Sequence, residues 1–140
     1  NIEIRDEVGA DNIFIFGLNA AEVAELQDKG YNPWDYYHGN GELRQVLEMI
    51  RSGFFSPDEH GRFLPIVDAL TDGGDHYLLL ADYAAYVECQ EKIDALYRDP
   101  AEWARKAILN VAGMGKFSSD RTIREYAEKI WGVKSVLSPE

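Results

Sequence analysis

The stretch Asn12-Ile13-Phe14-Ile15-Phe16-Gly17 places four consecutive apolar, β-favouring residues between an asparagine and a glycine. Such a run reads as a strand covered on both faces. Tyr77-Leu78-Leu79-Leu80-Ala81, after the turn Asp72-Gly73-Gly74-Asp75, reads as a second strand. Ile2-Glu3-Ile4 alternates and can add a strand end. Two strands that are apolar on both faces leave no interior strand between them, and a sheet of that size is not stable. Either these runs finish a sheet whose other strands lie outside the 140 residues, or one of them is not a strand. The first alternative is the expectation.

Around the two runs the pattern is helical. Asn19 with Glu22 forms a capping box and opens a short helix that Gly30 stops. Leu43, Val46, Leu47 and Ile50 recur at helical spacing, and Gly53 ends that helix. Ser56-Pro57-Asp58-Glu59 starts a short turn, after which Phe63, Ile66, Val67 and Leu70 form a stripe. Asp82 is the expected cap of a helix burying Tyr86, Cys89, Ile93, Leu96 and Tyr97. Asp99-Pro100-Ala101-Glu102 places cap, proline and acid at the start of a helix. The face of that helix is Trp103, Ala104, Ala107, Ile108 and Val111. Gly113-Met114-Gly115 breaks it. Ser118 or Ser119 caps a last helix with Ile123, Tyr126, Ala127, Ile130 and Trp131 on one side. The sum is an α/β piece: about six helices with two or three short strands.

Composition narrows the function classes. The net charge of −11 repels phosphate backbones and anionic lipid, so neither nucleic acid nor membrane is an expected partner. No apolar run approaches the ~18 residues of a spanning helix, and Asn1 to Asp11 is too polar and acidic for a signal peptide. The single cysteine, Cys89, cannot form an internal disulfide, which suits a reducing compartment. The chain starts on Asn1 and not Met, a start that processing, trimming or fragmentation would each leave.

The chemistry-bearing residues do not assemble into a site. His38, His60 and His76 have no second ligand at metal-site spacing. Cys89 lies on an apolar helix face and reads as a core thiol. Gly113-x-Gly115-Lys116-Phe117-Ser118 suggests a phosphate loop, but Phe117 occupies the place of the required Ser or Thr, and a helix precedes the loop instead of a strand. A helix–turn–helix corner is the default there. Asp6, Glu7, Asp11, Asp58, Glu59, Asp72 and Asp75 read as solvated loop acids. Tyr31, Trp34, Tyr36 and Tyr37 could stack on a sugar, but aromatics more often pin a loop onto helices. No Ser–His–Asp spacing or nucleophile elbow is present. The expected catalytic, cofactor-binding and metal residues are therefore none.

Several ordered blocks together resemble the C-terminal segment of the α-glucan phosphorylases, the glycogen, starch and maltodextrin enzymes. They are Asn12 to Gly17, Gly30-Tyr31-Asn32, Glu42-Leu43-Arg44-Gln45, Ser52 to Pro57, Ala81-Asp82-Tyr83, Tyr86-Val87-x-Cys89-Gln90, Trp103, and Gly115 to Ile123 continuing to Trp131-Gly132-Val133. The resemblance implies that residues 1–140 are the C-terminal portion of the cofactor-binding domain, incomplete alone. That domain is Rossmann-like and belongs to a two-domain glycosyltransferase (GT-B-like) fold. It implies a cytoplasmic, allosterically regulated, homodimeric parent that phosphorolyses α-1,4-glucan to glucose 1-phosphate with pyridoxal phosphate. The partners implied are the remainder of that chain, the glucan and phosphate. The family's cofactor lysine ends a Gly-Thr-Gly-Asn-Met-Lys motif that this sequence lacks, and Lys116 stands in another context. The resemblance thus implies an inactive structural segment. The alternative is a stand-alone, non-catalytic module that binds protein or glucan. His38 to Gly41 and Thr71 to Asp75 read as variable loops.

Overall fold

The computed structural model describes residues 2–133. In chain order the α-helices are α1 (Ile2–Val8), α2 (Ala20–Asp28), α3 (Pro33–Gly39), α4 (Gly41–Arg51), α5 (Leu64–Leu70), α6 (Leu79–Tyr97), α7 (Pro100–Gly113) and α8 (Ser119–Glu125). Short 3-10 turns occupy Ala10–Asn12 and Met114–Phe117, and a π-helical turn, Tyr126–Trp131, extends α8. The chain divides into two compact units. One is Phe16–Lys92; the other is drawn from the chain ends, up to Ile15 and from Ile93 onward.

Polar side chains set the helix starts. The Asn19 side chain accepts from Ala21 N and Glu22 N while the Glu22 carboxylate accepts from Asn19 N at 2.8 Å, completing the capping box. Asn32 caps α3 ahead of Pro33, Asn40 caps α4, and Asp99 caps α7 ahead of Pro100. Ser118, not Ser119, caps α8 by accepting from Arg121 N at 3.1 Å. Asn40 therefore acts as a helix start, where the sequence reads as a variable loop.

In the unit Phe16–Lys92 the core is Tyr37, Leu43, Leu47 and Leu80, with Trp34, Tyr36, Leu70 and Tyr83 packed around it. Leu43 and Leu47 are one turn apart on α4 and both are buried, as their spacing requires. Burying each leucine contributes about 1.5–3 kcal/mol. Val67 of α5 is fully buried, but Ile66, expected on the same stripe, is exposed.

The expected strands are not formed; the described residues contain only helices, turns and irregular segments. Ile2 to Ile4 lies in α1. Ile13 is extended, with φ −137° and ψ 145°, but Ile13 to Phe16 belongs to no ladder. An extended segment becomes a strand only where a neighbour accepts its backbone bonds. The run Tyr77 to Ala81 fails for another reason: Leu79, Leu80 and Ala81 open α6, and Tyr77 stands 93 % exposed before it. A short apolar run has no periodicity that separates strand from buried helix. Asp82 consequently sits inside α6 and is not its cap. Its carboxylate instead accepts from Leu18 N at 2.8 Å, and it lies so close to Gly17 (φ 87°) that a Cβ there would meet it at 2.6 Å.

In the other unit, α7 closes on α1. The buried Val8 lies against Gly113, where a Cβ would stand 2.8 Å from Val8 Cγ1 and 3.2 Å from the Glu7 carbonyl oxygen. Lys106 and Asn110 of α7 donate to the carbonyls of Asp11 and Asn12, gripping the turn that leads into Ile13. The outer apolar stripes expected on α7 and α8 exist but are uncovered. Ile108, Val111, Ile123, Tyr126, Ile130 and Trp131 are all exposed, Val111 by 77 %.

Gly113 supplies a test of the α1–α7 packing. In a free helix Gly→Ala is favourable by about 1 kcal/mol, whereas overpacking costs about 1–3 kcal/mol. Gly113→Ala is therefore expected to lower the urea midpoint of the unit that holds it. A raised midpoint would show that Val8 yields freely and that the contact is slack.

Candidate functional site

A buried polar constellation is built around Asp75, which is 2 % exposed. The turn that carries it follows α5. Thr71, also buried, donates from Oγ1 to the Val67 carbonyl at 2.8 Å, and Gly73 N donates to the Asp68 carbonyl at 2.7 Å. Asp75 N then donates to Ala69 O at 3.2 Å, and Asp75 O accepts from Leu78 N at 2.8 Å. Both Asp75 (φ 42°) and Leu78 (φ 56°) have left-handed backbones. Such conformations cost about 1–3 kcal/mol each and persist only where the surroundings over-determine them.

The Asp75 carboxylate supplies that determination. Its Oδ2 accepts from Leu80 N at 2.8 Å and from the Tyr31 hydroxyl at 2.7 Å. The first bond satisfies an otherwise unpaired amide at the start of α6. The second joins residues 44 positions apart and holds the α2–α3 connection. Burial, then the hydrogen bond and charge of Asp75, keep the Tyr31 phenol protonated far above the usual tyrosine range. Buried and committed to two donors, this carboxylate has the bonding of a latch and not of an acid–base catalyst. The reading of Asp75 as a solvated loop acid is thereby corrected.

The other sequence candidates fall in separate places. Tyr31 and Tyr36 pack at 5.4 Å between ring centroids, and Trp34 meets Tyr37 edge-on at 5.1 Å. Tyr37 lies in the core and donates to Glu48 Oε1 at 2.6 Å, so this cluster pins α3 onto α4. That hydrogen bond, with burial, raises the Tyr37 pKa. Burial first, then a hydrogen bond to Glu42, raises that of Tyr83. His38 stacks on Trp34, His60 Nδ1 lies 3.1 Å from the Ser52 carbonyl oxygen, and His76 is exposed beside Asp75. No group of three or more His, Cys, Asp or Glu among the described residues could hold a metal ion. Cys89 is buried as a free thiol. No described helix is long and apolar enough to cross a membrane.

Lys116 does not head a phosphate loop. Its ammonium pairs with Glu7, its carbonyl accepts from Arg121, and the Ser118 hydroxyl is committed to the α8 cap. Each of the five described lysines is in fact ion-paired: Lys29 with Glu25, Lys92 with Glu88, Lys106 with Glu102, Lys116 with Glu7 and Lys129 with Glu125. The one signal that could have revealed the Asp75 latch is positional. An aspartate directly after Gly73-Gly74 and shortly before an apolar run is a helix-start pattern. Its tyrosine partner has no local signature.

Comparison with known proteins places this sequence in a family. The carbohydrate phosphorylase family model matches residues 1–133. The chain is 56% identical over 137 residues to a glycogen phosphorylase of Synechocystis sp., covering 98% of this chain and 16% of that protein. It is 52% identical over 134 residues to the human brain form of glycogen phosphorylase, covering 96% of this chain and 16% of the relative. The human muscle form is 49% identical over the same length, with the same coverage. The chain thus spans 16% of the length of the curated relatives it matches.

Two outcomes test the latch. Tyr31→Phe removes one donor from a buried carboxylate and is expected to cost about 1–3 kcal/mol in urea unfolding at neutral pH. The second outcome concerns pH. Tyr31 holds its proton in the fold above its ordinary value of 10.0, so this stabilisation is complete below about pH 10 and is lost as pH rises further. From about pH 10 upward stability should fall, less steeply in Tyr31→Phe than in the parent chain. Equal slopes would detach Tyr31 from the latch.

Proposed function

The chain belongs to the carbohydrate phosphorylase family, and from that premise we propose that it is the C-terminal scaffold segment of an α-glucan phosphorylase. The parent transfers glucosyl units from α-1,4-glucan to phosphate, releasing glucose 1-phosphate, with pyridoxal phosphate as cofactor. This segment contributes structure to the cofactor domain and no reacting group. The observation that carries the reading is the family match over residues 1–133 by a chain that spans 16% of its relatives' length.

The cofactor does not fit the described residues. Its anchorage in the family requires a lysine able to form an imine, and the motif carrying that lysine is missing from the 140 residues. Imine formation needs a neutral amine, a form that the Glu88 hydrogen bond disfavours at Lys92 by raising its pKa. All five described lysines are engaged in ion pairs. No step of the reaction is assigned to them.

Within the proposed parent, Ile13 to Phe16 is a strand of the parallel sheet of a Rossmann-like domain. The extended backbone at Ile13 and the exposed Phe14, Ile15 and Phe16 support that placing. The uncovered stripes of α7 and α8 support a fold in which other parts of the parent pack on them. A homodimeric, cytoplasmic parent follows from the family resemblance.

The test uses the chain alone. Mixed with pyridoxal phosphate it is expected to develop no stoichiometric imine absorbance, and with glycogen and phosphate to release no glucose 1-phosphate. Turnover by these 140 residues would overturn the scaffold reading.

A further inference from the structure

We draw no further inference here: the strongest candidate, the open apolar hollow that Phe16, Leu79, Tyr83 and Tyr86 line beside Asp82 at the start of α6, carries nothing because nothing in the structure shows what covers it.

Discussion

The unit Phe16–Lys92 depends on one buried carboxylate. Asp75 takes the amide of Leu80 and the hydroxyl of Tyr31 on the same oxygen, while its own backbone closes the turn after α5. Leu80 is thereby delivered into the core with Tyr37, Leu43 and Leu47. Tyr31 is held two residues ahead of Pro33, where α3 begins. The left-handed backbones at Asp75 and Leu78 are the conformational cost of this arrangement. A buried polar group is tolerable only when its partners are supplied, and here both come from the unit itself.

The apolar surface obeys no such closure. In this unit Phe54 and Phe55 stand edge-to-face at 5.0 Å on an exposed turn. In the other, Ile108, Val111, Ile123, Ile130 and Trp131 face outward from helices with otherwise good caps. Single exposed hydrophobics are ordinary, but runs of them along successive helix turns mark surfaces that something else covers. The same holds for the backbone at Ile13 to Phe16, which enters extended at Ile13 and pairs with no ladder. Both features have one explanation if, as proposed, the chain is a scaffold segment, a reading that the family match and the 16% coverage support.

What was legible in the sequence was what local chemistry decides. The Asn19–Glu22 capping box, the Asp99-Pro100 start and the Ser118 cap each rest on residues within four positions, and each is formed. The breaks at Gly30 and Gly53 follow from their positive φ. Tyr77 to Ala81 was not legible, because five apolar residues carry no period and the deciding bond comes from the Asp75 side chain. Ile13 to Phe16 reads as a strand because its composition suits one, yet pairing is a tertiary property that these residues do not hold by themselves. The candidate site divides likewise. Lys116 and the histidines could be discounted from spacing alone, whereas the Tyr31–Asp75 bond spans 44 positions and has no local trace.

The central claim is that this chain is a scaffold whose extended segment and apolar faces are completed by the rest of a phosphorylase. Amide hydrogen exchange at Ile13 to Phe16 tests it most directly, comparing the 140 residues alone with the same residues inside a chain of the relatives' full length. The account predicts fast exchange in the first and strong protection in the second, with Leu80 protected in both. Equal exchange at Ile13 to Phe16 in the two would contradict it.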